Sequence, residues 1–477
     1  MSKQAPNLTP NLAVNFAGIQ SPNPFWLASA PPTNCGEQVM RAFDAGWGGA
    51  VWKTIGEQVT NTASRYSSID WLGQRMMGLN NIELISDRPL DVNLREIAEV
   101  KKRYPRNAVI ASLMVESKRE AWHRIVAQAE DAGADGLELN FGCPHGMSER
   151  GMGSAVGQVP EYAEMITGWV KEKARTPVIV KLTPNISDIR VIARAAKRGG
   201  ADAVSAINTI NSITGIDLET LIPRPNVDGK SSHGGYCGPA VKPIALNMVQ
   251  QVAGDAEGSL PISGIGGIAT WRDAAEFLLL GCGTVQVCTA AMHYGYRIVE
   301  DMIEGLEGWM REKGFASIED FRARSLPRVT EWKHLNLSYK IVARIDEAKC
   351  IGCDLCYIAC WDGAHQCIHR DRVTGPVDGP VELHATPAAL EAATRGSIAV
   401  TPIPKLDAIS RNGSRNVTPI ERIPRVDETE CVGCNLCSLV CPVDECITMV
   451  EVPNGLAAET WEERTRTKVS APPAMHG

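Results

Sequence analysis

Aromatic side chains are scarce in this 477-residue chain, at 5% of the total, and no apolar run is long enough to cross a bilayer without meeting charge. A helical membrane span is therefore not expected. Basic residues are not in excess either: 48 Lys and Arg against 55 Asp and Glu leave a net charge of −7, with the signs intermixed. No basic stripe is available to grip nucleic acid or an anionic lipid surface. The opening stretch MSKQAPNLTPNLAVNF lacks a basic flank leading into an apolar core, so we read no secretory signal and expect a cytoplasmic protein. Also missing is a strand followed by G-x-G-x-x-G and a helix, which argues against direct binding of a nicotinamide dinucleotide.

Cysteine, by contrast, is plentiful and unevenly placed. Of fifteen, five precede residue 300 (Cys35, Cys143, Cys237, Cys282, Cys288) and ten crowd between Cys350 and Cys446. Without a secretory signal, such spacing suggests metal before disulfide. Two runs, CIGCDLCYIAC and CVGCNLCSLVCP, follow the C-x2-C-x2-C-x3-C pattern of two-cluster ferredoxins, in which the fourth cysteine serves the other cluster. We therefore expect Cys350, Cys353, Cys356 and Cys441 around one [4Fe-4S] centre, and Cys431, Cys434, Cys437 and Cys360 around the second. A pair of zinc sites accounts less well for two complete four-cysteine runs. Trp361 stands where proline usually follows the first run. Cys367 and Cys446, just beyond the runs, read as spare buried thiols.

From about residue 25 to 290 short β-rich runs alternate with amphipathic helical stretches. PFWLAS, GAVWKT, AVIASLM, GLELNF, PVIVKLT, AVSAIN, LPISGIGG and TVQVCTA read as strands. Eight β/α repeats favour a closed (β/α)8 TIM barrel over an open doubly wound sheet. Barrel chemistry sits at the C-terminal ends of the strands. That rule gathers Ser29, Lys53, Thr54, Asn140 to Cys143, Lys181, Asn208, Thr209, Gly266, Gly267, Cys288 and Thr289 around one mouth. Long connections at 55–107 and 210–239 are expected to cover it. The expected division is a barrel over 1–315, a linker over 316–340, and an α+β two-cluster ferredoxin-like domain over 341–455. That domain carries a loop-dominated insertion at about 370–424, and a disordered tail follows over 456–477.

Clusters carry single electrons, so the barrel needs a partner able to pass between one- and two-electron chemistry, and a flavin does that. Barrels often bind phosphate on the loops after strands seven and eight, where Gly266, Gly267 and the Thr289 hydroxyl stand. Lys53 and Lys181, ending strands two and five, strengthen the reading, because a lysine inside a barrel mouth is costly unless it meets an anion.

The stretches NPFWLASAPPT, AGWGGAVWKT, NIELIS, ELNFGCPHGMSERGMG, KLTPN, INT, GGIAT and QVCTA, followed by the two cluster runs, closely resemble the dihydropyrimidine dehydrogenases. The likeness covers about residues 10–370 and 425–450, and points to the catalytic chain of the bacterial two-subunit form. It implies reduction of uracil or thymine to the 5,6-dihydro compound. Electrons would come from a separate FAD-containing, NAD(P)H-oxidising subunit and pass through the clusters to FMN, in an assembly containing a dimer of catalytic chains. Carried over residue by residue, it implies FMN contacts at Ser29, Lys53, Thr54, Lys181, Gly238, Gly266, Gly267, Cys288 and Thr289. The pyrimidine contacts implied are Asn81, Glu83, Asn140, Phe141, Gly142, Asn208 and Thr209, with Cys143 as the acid. Gly142 departs from the family, which often has serine there. The rival readings are a dihydroorotate dehydrogenase-type enzyme, which usually has asparagine where this chain has His145, and an electron-transfer iron–sulfur flavoprotein that has lost catalysis or acts on another cyclic amide.

Overall fold

The structure, a computed structural model, describes residues 9–71, 73–370 and 424–470. The expected insertion therefore lies almost wholly outside the described residues. Two compact units divide at Val329 and Thr330. The division falls inside the segment read as linker, but residues 316–329 are packed rather than extended: Ile318 and Phe321 are buried, and Phe321 meets Trp309 edge-on at 5.0 Å.

In the first unit eight parallel strands close a barrel: Phe25–Leu27, Gly49–Val51, Ala108–Met114, Gly136–Asn140, Val178–Lys181, Ala203–Ala206, Ile262–Ile265 and Thr284–Val287. All eight coincide with the runs read from the sequence. Closure is set by Val285 pairing with Phe25 and Gly49 with Ala108. The strands are rich in Val, Ile and Ala because both faces are covered, one by the interior and one by helices. Helix Arg119–Asp131, for example, turns Trp122, Ile125, Val126 and Ala129 inward at helical spacing. The barrel interior is partly polar: Ser205 Oγ and Gln286 Nε2 both donate to Glu138 Oε2, at 2.8 and 3.1 Å, and Thr284 Oγ1 donates to Ser263 Oγ at 2.8 Å.

The two long connections are not structureless. They supply a four-stranded antiparallel sheet, ordered Ile210–Ser212, Gly234–Cys237, Gln74–Asn81, Tyr66–Trp71. Gly235 pairs with Asn81 and Ile210 with Tyr236, so segments more than a hundred residues apart carry the site residues on one ladder.

The second unit is a pseudo-repeat. Ile341–Ile345 pairs antiparallel with Ile447–Glu451, and Ile368–Arg370 with Pro424–Val426. Each cysteine run curls through two left-handed residues flanking its second cysteine, Gly352 and Asp354 in one and Gly433 and Asn435 in the other, with φ between 61° and 70°. Glycine, aspartate and asparagine tolerate that conformation best, which explains why C-x-G-C-[DN] occurs twice. The C-terminal segment read as a disordered tail instead contains helix Trp461–Ser470. A reciprocal cap holds its start: the Thr460 hydroxyl donates to Glu463 Oε2 at 2.8 Å and accepts from Glu463 N at 3.3 Å. Trp461 packs on Trp332 at 5.9 Å between ring centroids. No helix among the described residues is long and apolar enough to cross a membrane.

Candidate active site and cluster sites

A chain of side-chain hydrogen bonds runs around the barrel mouth from strand ends one to six. Ser29 Oγ lies 3.1 Å from Thr54 Oγ1, which also meets Ser112 Oγ at 2.8 Å and accepts from Asn140 Nδ2 at 3.0 Å. Asn140 Oδ1 in turn accepts from Asn208 Nδ2 at 3.0 Å, and Asn208 Oδ1 accepts from the Thr209 backbone N–H at 2.8 Å. Five expected site residues are thus brought into one network, with the two amides side by side. Gly142 lies against this pair: a Cβ built there would sit 2.5 Å from Asn208 Cβ and 2.5 Å from Nδ2. The serine that the family often has at this position has no room beside Asn208 in this arrangement.

Glu83 is more heavily paired than the sequence suggested. Lys53 Nζ donates to its Oε1 at 2.6 Å, Arg65 Nη1 donates to the same oxygen at 3.2 Å, and the Tyr66 hydroxyl bonds Oε2. Burial and the carboxylate acceptor both raise the Tyr66 phenol far above its ordinary range, so it stays a donor. Arg65, Tyr66 and Glu138 escaped the sequence reading. The first two sit in a long connection without periodicity. Glu138 was a visible signal, a fully buried carboxylate two residues from Asn140 in an otherwise apolar strand. Asn81 places its Nδ2 3.0 Å from the Gly235 carbonyl oxygen, across the ladder of the mouth sheet.

The residues fit a flavin phosphate and ring. Gly238, Gly266 and Gly267 all have φ in the left-handed region, and a Cβ at Gly267 would lie 3.0 Å from the Gly238 carbonyl oxygen, so two loops meet where side chains have no space. Thr289, opening helix Thr289–Tyr294, is buried beside them and its hydroxyl lies 3.2 Å from Cys237 Sγ. Cys288 is the residue preceding that helix. Lys181 is 6% exposed and its ammonium has Glu138 Oε1 at 3.5 Å. That buried cation retains donors for an anionic ring.

Cys143 is buried among Ile85, Met114, Met147 and Met152, in the loop directly after strand four. Burial pushes its thiol up to about 11, against smaller opposing effects from the His145 backbone and Lys181. A thiol so placed holds its proton at neutral pH. The loop is tied down by His145, whose Nε2 lies 2.9 Å from the Glu83 carbonyl oxygen, and by His233 Nε2, 3.2 Å from the Pro144 carbonyl oxygen. Because a carbonyl only accepts, His145 Nε2 carries the hydrogen, and burial keeps the ring neutral by lowering its pKa.

In the second unit the thiols expected from spacing as cluster ligands gather around two cavities. One cavity is lined by Cys350, Cys353, Cys356 and Cys441, the other by Cys431, Cys434, Cys437 and Cys360. Each collects three thiols from one run and the fourth from its partner. Thiols converging in such number suit an iron–sulfur cube. Cys446 lines the first cavity and Cys367 the second.

A closed barrel with buried lysines, a glycine-lined cradle and a protonated thiol, in one chain with two cysteine-lined cavities, defines a flavin-dependent iron–sulfur oxidoreductase. Residues 11–310 match the dihydroorotate dehydrogenase family and residues 349–445 a 4Fe-4S dicluster domain. The chain is 46% identical over 369 residues to the NAD-dependent dihydropyrimidine dehydrogenase subunit PreA of Escherichia coli, covering 77% of this chain and 89% of that one. It is 44% identical over 333 residues to the chloroplastic dihydropyrimidine dehydrogenase (NADP(+)) of Arabidopsis thaliana, covering 67% and 78%. To the catalytic subunit of dihydroorotate dehydrogenase B (NAD(+)) of Pyrococcus abyssi it is 36% identical over 309 residues, covering 65% and 97%. The chain belongs to the dihydroorotate dehydrogenase family, in the group of the dihydropyrimidine dehydrogenases, and is an oxidoreductase that carries FMN and two [4Fe-4S] clusters.

Proposed function

We propose that the enzyme reduces the 5,6 double bond of uracil or thymine, reversibly, with Cys143 as the proton donor. The observation that carries this reading is the juxtaposition, at the end of strand four, of a thiol held neutral with the Asn140–Asn208 amide pair. Amides offer a donor and an acceptor each, which matches the alternating N–H and C=O edge of a pyrimidine dione. FMN, when bound, supplies the hydride equivalent for such a double bond. Lys53, Lys181, Thr54 and Ser29 hold the flavin side of the mouth, while Gly238, Gly266, Gly267, Cys288 and Thr289 form its phosphate end. Asn81, Glu83, Asn140, Phe141, Gly142, Asn208 and Thr209 enclose the ring of the substrate. Cys143 keeps its proton until the substrate carbon accepts it, and the methionines around it exclude water. Cys350, Cys353, Cys356 and Cys441, and Cys431, Cys434, Cys437 and Cys360, would hold the two clusters, which would supply a route for electrons from a separate FAD-containing subunit that oxidises NAD(P)H; two catalytic chains would pair within the assembly.

Replacing Cys143 with alanine is expected to leave flavin and iron content unchanged and to lower turnover about 100-fold or more; full activity in that variant sinks the assignment. Titrating the chemically reduced protein with uracil, thymine, orotate and hydantoin-like rings, with flavin reoxidation as readout, fixes the substrate. A response to orotate alone favours the dihydroorotate-type reading, and no response to any ring, with flavin bound, favours a pure electron carrier.

A further inference from the structure

The second cluster cavity holds five thiols, one more than a cube needs. Cys367 is 5% exposed, and its Sγ lies 3.6 Å from Cys360 Sγ, the ligand contributed by the other run. The position is built. The turn after helix Leu355–Gly363 hangs on the Cys360 carbonyl oxygen, which accepts from Ala364 N and Gln366 N, both at 3.1 Å, so the chain doubles back and returns Cys367 to Cys360. The Cys367 carbonyl then accepts from Asp427 N at 2.8 Å, and Ile368 pairs with Val426. Trp361, standing where proline usually follows such a run, clamps the same turn by donating from Nε1 to the Ile368 carbonyl at 2.5 Å, and its ring lies tilted against Tyr357 at 5.5 Å between centroids. The other half has an equivalent thiol, Cys446, which likewise immediately precedes the strand isoleucine; its Sγ lies 3.7 Å from the Asp346 carbonyl oxygen.

We propose that Cys367 is a potential-tuning residue of the second cluster, donating an S–H hydrogen bond to the ligand sulfur of Cys360. The inference rests on the assignment of Cys360, Cys431, Cys434 and Cys437 as that cluster's ligands. Hydrogen bonds to cluster sulfurs are among the main determinants of reduction potential. A donor stabilises the sulfur most when the cluster carries its extra electron, so it moves the potential upward and makes the cluster easier to reduce. A thiol does this without adding charge to the apolar cavity.

The test is a reductive titration of the holoprotein followed by electron paramagnetic resonance, with iron per chain measured in parallel. Cys367→Ala is expected to keep the wild-type iron content while one of the two clusters titrates at a more negative potential. Cys367→Ser, which retains a donor, is expected to fall between alanine and wild type. An unmoved potential in Cys367→Ala with iron intact overturns the proposal, and so does the loss of one cluster's iron, which makes Cys367 a ligand. Wild-type protein lacking a second cluster signal would instead fault the ligand assignment itself.

Discussion

Gly142 shows how one missing side chain sets a site. With a Cβ position only 2.5 Å from Asn208, the glycine lets the two amides share a hydrogen bond directly. Gly142→Ser is expected to displace Asn208 or to cost about 1–3 kcal/mol of overpacking. The kinetic outcome is a KM for the pyrimidine raised several-fold, with flavin and iron content unchanged, measured by steady-state assay and cofactor analysis. At Cys143 the relevant quantity is the proton. An acid must be protonated to act, and burial raises this thiol to about 11, so activity is expected to persist well past the ordinary thiol value of about 8.5 and to fall only as pH approaches 11. A pH–rate profile whose alkaline limb disappears in Cys143→Ala while residual activity stays flat checks the assignment.

At the scale of the element, the loop over residues 140–153 is held closed by histidines bonded to backbone carbonyls. Burial depresses the His145 pKa, so the unfolded chain binds a proton that the folded loop refuses. His145 therefore contributes stability that is present above about pH 6.5 and lost as pH falls below it. Thermal unfolding of the holoprotein between pH 5 and 8 is expected to show an acid-side loss that is smaller in His145→Gln, since the amide keeps a donor and does not titrate. The barrel strands and the long helices were readable from the sequence because their periodicities are local. The mouth sheet was not, since its ladder joins Asn81 to Gly235 and nothing within either strand names the other. The segment after residue 456 was misread because its helix depends on the Thr460–Glu463 cap and the Trp332 contact more than on an apolar stripe.

On the scale of the whole molecule, two units divide the labour. The barrel has a large apolar core and a polar mouth, whereas the buried core described for the second unit is largely cysteine, with Val342, Ala343, Ile368 and Ile447 beside it. Such a core depends on its metal. The crossover of ligands makes a specific forecast. Cys350→Ala/Cys441→Ala removes two ligands from one cluster and is expected to halve the iron per chain. Cys350→Ala/Cys360→Ala touches both clusters and is expected to remove nearly all of it. The reverse pattern by iron analysis and electron paramagnetic resonance, half the iron lost from Cys350→Ala/Cys360→Ala and nearly all of it from Cys350→Ala/Cys441→Ala, would show that each run serves its own cluster.

The sequence by itself determined the eight strands, the cysteine spacing and the placement of Lys53, Asn140, Cys143 and Lys181 at strand ends, because each follows from neighbours a few residues away. Only the tertiary structure decided what those residues meet. Glu83 gathers Lys53, Arg65 and Tyr66, Asn140 reaches Asn208 across 68 residues, Glu138 faces Lys181 inside the barrel, and Cys367 returns to Cys360. Spacing along a strand or helix fixes which face a residue joins. The partner on the opposite face is set by closure of the barrel and by the turns that bring distant segments together.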